Sequence, residues 1–241
     1  MFKYRLDIAY DGKEFFGSQI QPQKRTVEGE IRKQLLKFCD FQNLVFSGRT
    51  DAGVHAKHQV VSFESSLEDK SKINKALSNL LPEDIALNNV EKVSLDFDAR
   101  YSAISRSYCY FIKTIDTSHP IDRLSTLIVN RPLDLDLLKK VSQIFLGEND
   151  FRNFSKNKDK KNTLRTITEI GWKEKDNKYE FYISGNSFLW EMVRTIIGSL
   201  LALNDMKINE NNLKSYLSLE QTERIPYVAP PQGLYLWKVE Y

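Results

Sequence analysis

The chain has 241 residues, 41% of them hydrophobic and 28% charged, which is enough apolar material for the core of one large domain or two modest ones. Its 35 Lys and Arg against 32 Asp and Glu leave a net charge of only +3, so any nucleic-acid surface must come from segregated charge rather than a general basic excess. Two cysteines, Cys39 and Cys109, exclude a disulfide framework, and the opening MFKYRLD lacks a signal-peptide pattern, so a cytoplasmic setting is expected.

Lys3 to Tyr10 alternates, with Tyr4, Leu6, Ile8 and Tyr10 on one side and Lys3, Arg5 and Asp7 on the other. This predicts a half-buried strand, ended by Asp11-Gly12 and followed by a polar loop around Pro22. Thr26 is placed to cap a helix, with Glu28 and Glu30 in the first turn, where the helix dipole favours acids. Val27, Ile31, Leu35 and Cys39 mark its buried stripe. Strands are expected at Asn43 to Phe46 and Gln59 to Phe63, so the stretch between them hangs from two strands. Ser71 is read as the cap of a second helix, with Ile73, Leu77, Leu80 and Leu81 apolar and Pro82 stopping it. Val90 to Leu95 and Ser107 to Ile112 read as further strands.

Leu133 to Phe145 predicts a helix with Leu135, Leu138, Val141, Ile144 and Phe145 facing inward. The run Lys156 to Asn162, KNKDKKN, cannot bury a face and suits either a solvated loop or one that contacts phosphates. Leu164 to Trp172 and Lys178 to Ser184 read as paired strands around an Asp176-Asn177 turn. A long helix is expected from Ser187, with Phe188, Leu189, Met192, Val193, Ile196, Ile197, Leu200 and Leu201 apolar. Glu191, Arg194, Thr195 and Gly198 form one narrow polar stripe on it. Two charges break this most apolar segment, Phe188 to Leu203, and it is shorter than the roughly 20 residues that span a bilayer, so no membrane segment is expected. A short helix at Asn211 to Leu217 and a strand at Gly233 to Tyr241 close the chain. Strands and helices mix without strict alternation, which predicts an α+β fold with a largely antiparallel sheet and helices on one side. Two halves are expected, residues 1–104 and 105–241.

Ser47 to Ala56, SGRTDAGVHA, follows no amphipathic pattern. Gly48 and Gly53 bracket Arg49, Thr50 and Asp51, so the backbone can turn tightly and present the arginine and the carboxylate together. Two plain readings compete with a chemical one. Asp51 suits an Asx-type turn, and Arg49 suits a surface ion pair with it, which contributes little when exposed. A metal site is disfavoured, because His55 and His58 sit three apart without a third ligand nearby and the two cysteines lack ligand spacing.

The uninterrupted string resembles the active-site motif of the tRNA pseudouridine synthases of the TruA family, in which an aspartate follows Gly-Arg-Thr and precedes Ala-Gly-Val-His-Ala. The resemblance covers nearly the whole chain, through Tyr10-Asp11-Gly12, Gln21-Pro22, Thr26 to Ile31, Arg165 with Ile167, and Ala229 to Leu236. It implies two halves whose sheets join around a central catalytic cleft. It also implies isomerisation of uridine to pseudouridine in the anticodon stem and loop of tRNA, around positions 38 to 40, by a homodimer that needs no metal or cofactor.

By the same resemblance Asp51 is the nucleophile, and Arg49 takes the place of a base flipped out of its stack, a role suited to a planar guanidinium. Tyr108 is expected to stack on the target base and assist proton removal from C5. Read alone, Tyr108, Tyr110 and Ile112 share a strand face and suit an ordinary aromatic ladder. Arg194, on the helix matching FLWEMVR, is expected to pair with Asp51 and offset its desolvation. A local i, i+3 pair with Glu191 is the competing reading. Arg165 and Leu234 are implied as substrate contacts. Two positions depart from the family pattern: Ser18, where tryptophan is usual, and Glu191, where a neutral residue or histidine is commoner.

Two rival functions remain to be weighed. A noncatalytic RNA-binding protein on the same scaffold would not need Arg49, Asp51, Tyr108 and Arg194 together. A nuclease or hydrolase built on Asp51 lacks a second carboxylate at metal-ligand spacing.

Overall fold

Alternation of apolar and polar residues makes Phe2–Tyr10 the first strand, β1, in the computed structural model of the chain, which describes residues 1–156 and 162–241. There follow α1 (Val27–Leu35), β2 (Gln42–Phe46), β3 (His55–Ser65), α2 (Lys70–Leu80) and β4 (Ile85–Val93). Next come β5 (Ser105–Thr114), β6 (Leu127–Val129), α3 (Leu135–Ser142), β7 (Gly147–Asp150), β8 (Leu164–Lys175) and β9 (Lys178–Gly185). The chain ends with α4 (Met192–Asn204), α5 (Glu210–Leu217) and β10 (Leu234–Glu240). Apart from its two end residues, the basic run Lys156 to Asn162 lies outside the described residues. The fold is α+β, its strands paired mainly antiparallel. By contact it divides into two units, Met1–Ile104 with Tyr235–Tyr241, and Ser105–Leu234.

In the first unit the strands run in the order β4-β1-β3-β10, with β2 also paired to β3; every pairing is antiparallel except that of β10 with β3. Tyr4, Leu6 and Ile8 of β1, Val60, Val61 and Phe63 of β3, Ile31 and Leu35 of α1, and Ile73 and Leu77 of α2 are all buried and form the core. Each such side chain contributes about 1.5–3 kcal/mol when fully removed from water. Thr26 caps α1, accepting from the Gly29 N–H at 3.2 Å. The helix stops at Leu35, one turn short of Cys39. The cap of α2 is Asp69, not Ser71: its carboxylate accepts the Ser71 N–H at 2.9 Å, a bond the serine cannot make to its own amide. Two strands also start earlier than their apolar pattern shows, β3 at His55 and β4 at Ile85, because pairing with β1 reaches Tyr10 on both sides.

In the second unit β5-β9-β8-β7 is antiparallel throughout, and β6 adds to β5 in parallel. Asp176 and Asn177 both adopt left-handed backbone, φ 53° and 57°, as a two-residue hairpin between right-twisted strands requires. Asp134 caps α3, which ends at Ser142 and tightens into a single 3-10 turn over Gln143–Phe145. The Ser142 hydroxyl donates to Leu138 O at 2.7 Å and accepts the indole N–H of Trp172 at 2.9 Å. The expected long helix from Ser187 begins only at Met192. Glu191, at φ 61°, is left-handed and cannot continue a right-handed helix toward its N-terminus.

Candidate active site

In the first unit the loop from Ser47 to Val54 is held on both sides of Asp51. The Ser18 N–H donates to Thr50 O at 3.1 Å, and the Ser18 hydroxyl accepts the Thr50 N–H at 2.9 Å. Thr50 Oγ1 shares a 2.8 Å hydrogen bond with the hydroxyl of Tyr10, which burial pushes up to about 12, so that it stays neutral. Gln59 reaches back from β3, accepting from the Ser47 hydroxyl at 2.5 Å and donating to Gly48 O at 2.9 Å. Gly53 donates to Phe15 O at 3.3 Å. Gly17 is left-handed at φ 90°, and a Cβ there would stand 2.7 Å from Thr50 O, so the 12–18 segment lies directly on the loop.

The turn itself is closed by the Asp51 main-chain carbonyl, which accepts the Val54 N–H at 3.2 Å with Gly53 at φ 77°. Asp51 is half-buried and Arg49 exposed, two residues apart on a backbone with little freedom. His55 Nδ1 accepts the Gly12 N–H at 3.1 Å and its ring stacks on Tyr235 at 4.6 Å, while His58 Nδ1 accepts the Val239 N–H at 3.1 Å. Both imidazoles thus serve the scaffold. Among the described residues, no three His, Cys, Asp or Glu side chains gather as a metal ion would require.

Ser18, which departs from the expected tryptophan, has a role here that an indole cannot fill, since an indole N–H donates and does not accept. Ser18→Ala is expected to strand the buried Thr50 N–H and lower stability by about 1–3 kcal/mol in urea unfolding, with Ser18→Thr recovering most of it. An unchanged urea midpoint for the alanine variant would show that this bond is not needed.

In the second unit Tyr108 lies on β5 opposite Ile183, buried, with its ring edge-on to Phe188 at 5.1 Å. It shares its strand face with Tyr110, whose hydroxyl donates to Pro230 O at 2.8 Å and whose pKa burial raises. Arg165, at the start of β8, is buried; its guanidinium donates to Leu164 O and, at 3.4 Å, to Asn162 O, and burial lowers its pKa. Leu234 is buried at the start of β10.

Arg194 lies on the first turn of α4, with Nε donating to Ala229 O at 2.8 Å. The Ala229 N–H returns a 2.9 Å bond to Arg194 O. A Cβ on Gly198 would stand 2.7–2.8 Å from the backbone of Tyr227 and Ala229, so an extended strap, residues 224–229, runs against the helix. The polar stripe of Glu191, Arg194, Thr195 and Gly198 is the strap's seat. Glu191 lies 3.9 Å from Arg194, at the outer limit of an ion pair, and 2.7 Å from Arg224. The expected local Glu191–Arg194 pair is therefore the weaker of the two. Arg224 was not evident in the sequence, although Gly198 inside an apolar helix, together with the proline-rich 226–231 segment, signals a close backbone approach.

A family model described as tRNA pseudouridine synthase matches residues 8–102 and 141–241. These segments include Arg49, Asp51, Arg165, Arg194 and Leu234, while Tyr108 lies between them. The chain is 38% identical over 245 residues to tRNA pseudouridine synthase A 1 of Bacillus cereus, covering 100% of this chain and 99% of that one. It is 40% identical over 246 residues to tRNA pseudouridine synthase A of Dictyoglomus thermophilum, covering 100% of both chains. To tRNA pseudouridine synthase A of Listeria innocua it is 38% identical over 247 residues, again covering 100% of both.

Proposed function

The chain belongs to the tRNA pseudouridine synthase family, and from that premise we propose that it isomerises uridine in the anticodon stem and loop of tRNA, around positions 38 to 40, with Asp51 as nucleophile. The observation that carries this reading is the clamped loop. Thr50, beside Asp51, is bonded through its N–H, its carbonyl and its hydroxyl, so the carboxylate is presented from a fixed backbone. Preorganisation of this kind is what a nucleophile needs in order to meet a reacting carbon repeatedly in one geometry.

In the proposed reaction the uridine is flipped from its stack, and the exposed Arg49 occupies the space it leaves. The Asp51 carboxylate attacks ribose C1′ or C6 of the base. The N1–C1′ bond breaks, the base turns, C5 bonds to C1′ as the bond to Asp51 is released, the proton on C5 leaves and N1 takes up a proton. Substrate and product are isomers, so no redox equivalent or co-substrate enters. Tyr108, edge-on to Phe188, stacks against the flipped base and assists loss of the C5 proton. Arg194 supplies the cation that offsets desolvation of Asp51 when RNA covers the site. Arg165 and Leu234 contact the substrate. The enzyme acts in the cytoplasm as a homodimer, without a metal or other cofactor.

The test is tritium release from tRNA transcripts carrying [5-³H]uridine, in EDTA, with the modified positions then mapped. Release accompanied by pseudouridine in the anticodon arm is the expected result. Release from positions elsewhere in the tRNA would overturn the proposed specificity, and no release from any tRNA would overturn the proposed chemistry.

A further inference from the structure

Phe15 and Phe16 are neighbours in sequence that part company in the fold. Phe15 is buried, with the guanidinium of Arg25 over its ring at 4.2 Å, whereas Phe16 is 48% exposed. A single exposed phenylalanine is ordinary on a protein surface, so exposure alone assigns nothing. Phe16 differs in where it stands. The next residue, Gly17, lies against the main chain around Asp51: a Cβ there would stand 2.7 Å from Thr50 O, 3.4 Å from Asp51 C and 3.5 Å from Ala52 N. On the other side, Phe15 O accepts the Gly53 N–H at 3.3 Å. Phe16 is therefore carried alongside Asp51, on a segment in contact with both flanks of that residue.

Its backbone is also fixed. The Phe16 N–H donates to Arg25 O at 2.9 Å, and its carbonyl accepts the side-chain amide of Gln21 at 2.6 Å. The Lys24 ammonium stands 4.3 Å from the centre of the ring, and the residue is still exposed. Lys24 and Arg49 are exposed as well. An aromatic face with positive charge beside it is the combination by which proteins take hold of unstacked nucleotides, the ring meeting a base and the cations the backbone.

We propose that Phe16 contacts the substrate: its ring stacks on a nucleobase of tRNA next to the uridine that Asp51 attacks. This rests on the reading that Asp51 acts on a uridine flipped out of tRNA. Extruding a uridine costs the stacking it shared with its neighbours. Arg49 answers for the space left inside the RNA, and an aromatic residue already fixed beside Asp51 lets a neighbouring base stack on protein with little further ordering.

The test measures kcat and KM for tritium release from tRNA by Phe16→Ala, Phe16→Leu and Phe16→Trp, with thermal melts alongside. Phe16→Ala is expected to raise KM about tenfold, with kcat within about twofold of wild type. Phe16→Leu keeps apolar bulk without an aromatic face, and it is expected to be impaired as much as the alanine variant. Phe16→Trp is expected to hold KM within about threefold of wild type, and tRNA should quench its emission more strongly than that of the wild type, because the added indole stacks on a base. An unchanged KM in Phe16→Ala, a leucine variant equal to wild type, or an added indole that tRNA does not quench overturns the proposal. Should Phe16→Ala fail to fold, the other two variants decide alone: a raised KM in Phe16→Leu with quenching in Phe16→Trp supports it, and either result missing ends it. Absence of release by the wild type is a different result, which would end the reading of Asp51 and the proposal with it.

Discussion

Asp51→Asn is expected to abolish tritium release from C5 of uridine in tRNA, a loss of about four orders of magnitude or more in kcat, while tRNA binding and the melting temperature stay close to wild type. An amide of nearly the same shape replaces the carboxylate, so the side-chain volume is unchanged. Bonds that hold the loop run through groups the substitution leaves unchanged: the main chain and hydroxyl of Thr50, the Asp51 carbonyl, and the side chains of Ser18, Tyr10 and Gln59. An amide nitrogen cannot form the ester-like adduct that attack on C1′ or C6 requires, and the effect should therefore fall on kcat. Filter binding to tRNA and a thermal melt separate this outcome from misfolding. Release above about one per cent of wild type would remove Asp51 as the nucleophile, because outer contributions to transition-state stabilisation seldom sustain so much when the attacking group is lost.

The elements with one clean apolar period were legible from the sequence. β1 and α1 carry alternating and helical patterns strong enough to fix their faces, and Asp176-Asn177 supplies the two left-handed residues that a hairpin turn needs. Boundaries were legible only where a local bond sets them. Thr26 bonds the third residue after it, as expected, whereas the start of β3 at His55 depends on pairing with β1 and β10, partners far away in sequence. The start of α4 was missed for another reason: apolar residues run through Phe188 to Val193 without a break, and backbone handedness at Glu191 leaves no mark on hydrophobic period. In the candidate site, the sequence motif marks Arg49 and Asp51, but not what holds them. Ser18 and Gln59 look like ordinary polar residues until their bonds to Thr50, Ser47 and Gly48 are seen. The stripe on α4 was visible, yet its occupant was not, because the strap at residues 224–229 bonds through its backbone and through one arginine.

Gly12→Ala is expected to cost about 3–5 kcal/mol of stability and, at about 2–4 °C per kcal/mol, to lower the melting temperature by roughly 6–20 °C. A Cβ on residue 12 would stand 1.9 Å from Val54 O and 2.4 Å from Val54 C. Both atoms belong to the main chain, so no rotamer change relieves the overlap. The glycine is also fixed from its own side: its N–H donates to His55 Nδ1 at 3.1 Å, its carbonyl accepts the Phe15 N–H at 3.1 Å, and the preceding Asp11 N–H donates to Asp84 O at 3.0 Å. The strain is therefore expected to spread the two segments apart, and the bonds joining them, from Gly53 to Phe15 and from Thr50 to Ser18, lie within three residues of Asp51 or involve its neighbours. A displacement of about 1 Å at a reacting group costs about a hundredfold in rate, so the protein that remains folded at low temperature should show a kcat reduced by about that factor. Gly48→Ala is the matching control in the catalytic motif itself. A Cβ there meets nothing within 4 Å, and its stability is expected within about 0.5 kcal/mol of wild type. If Gly12→Ala melts with the wild type while Gly48→Ala does not, then the 12–18 segment does not hold the loop, and the source of the fixed geometry at Asp51 must be sought on β3.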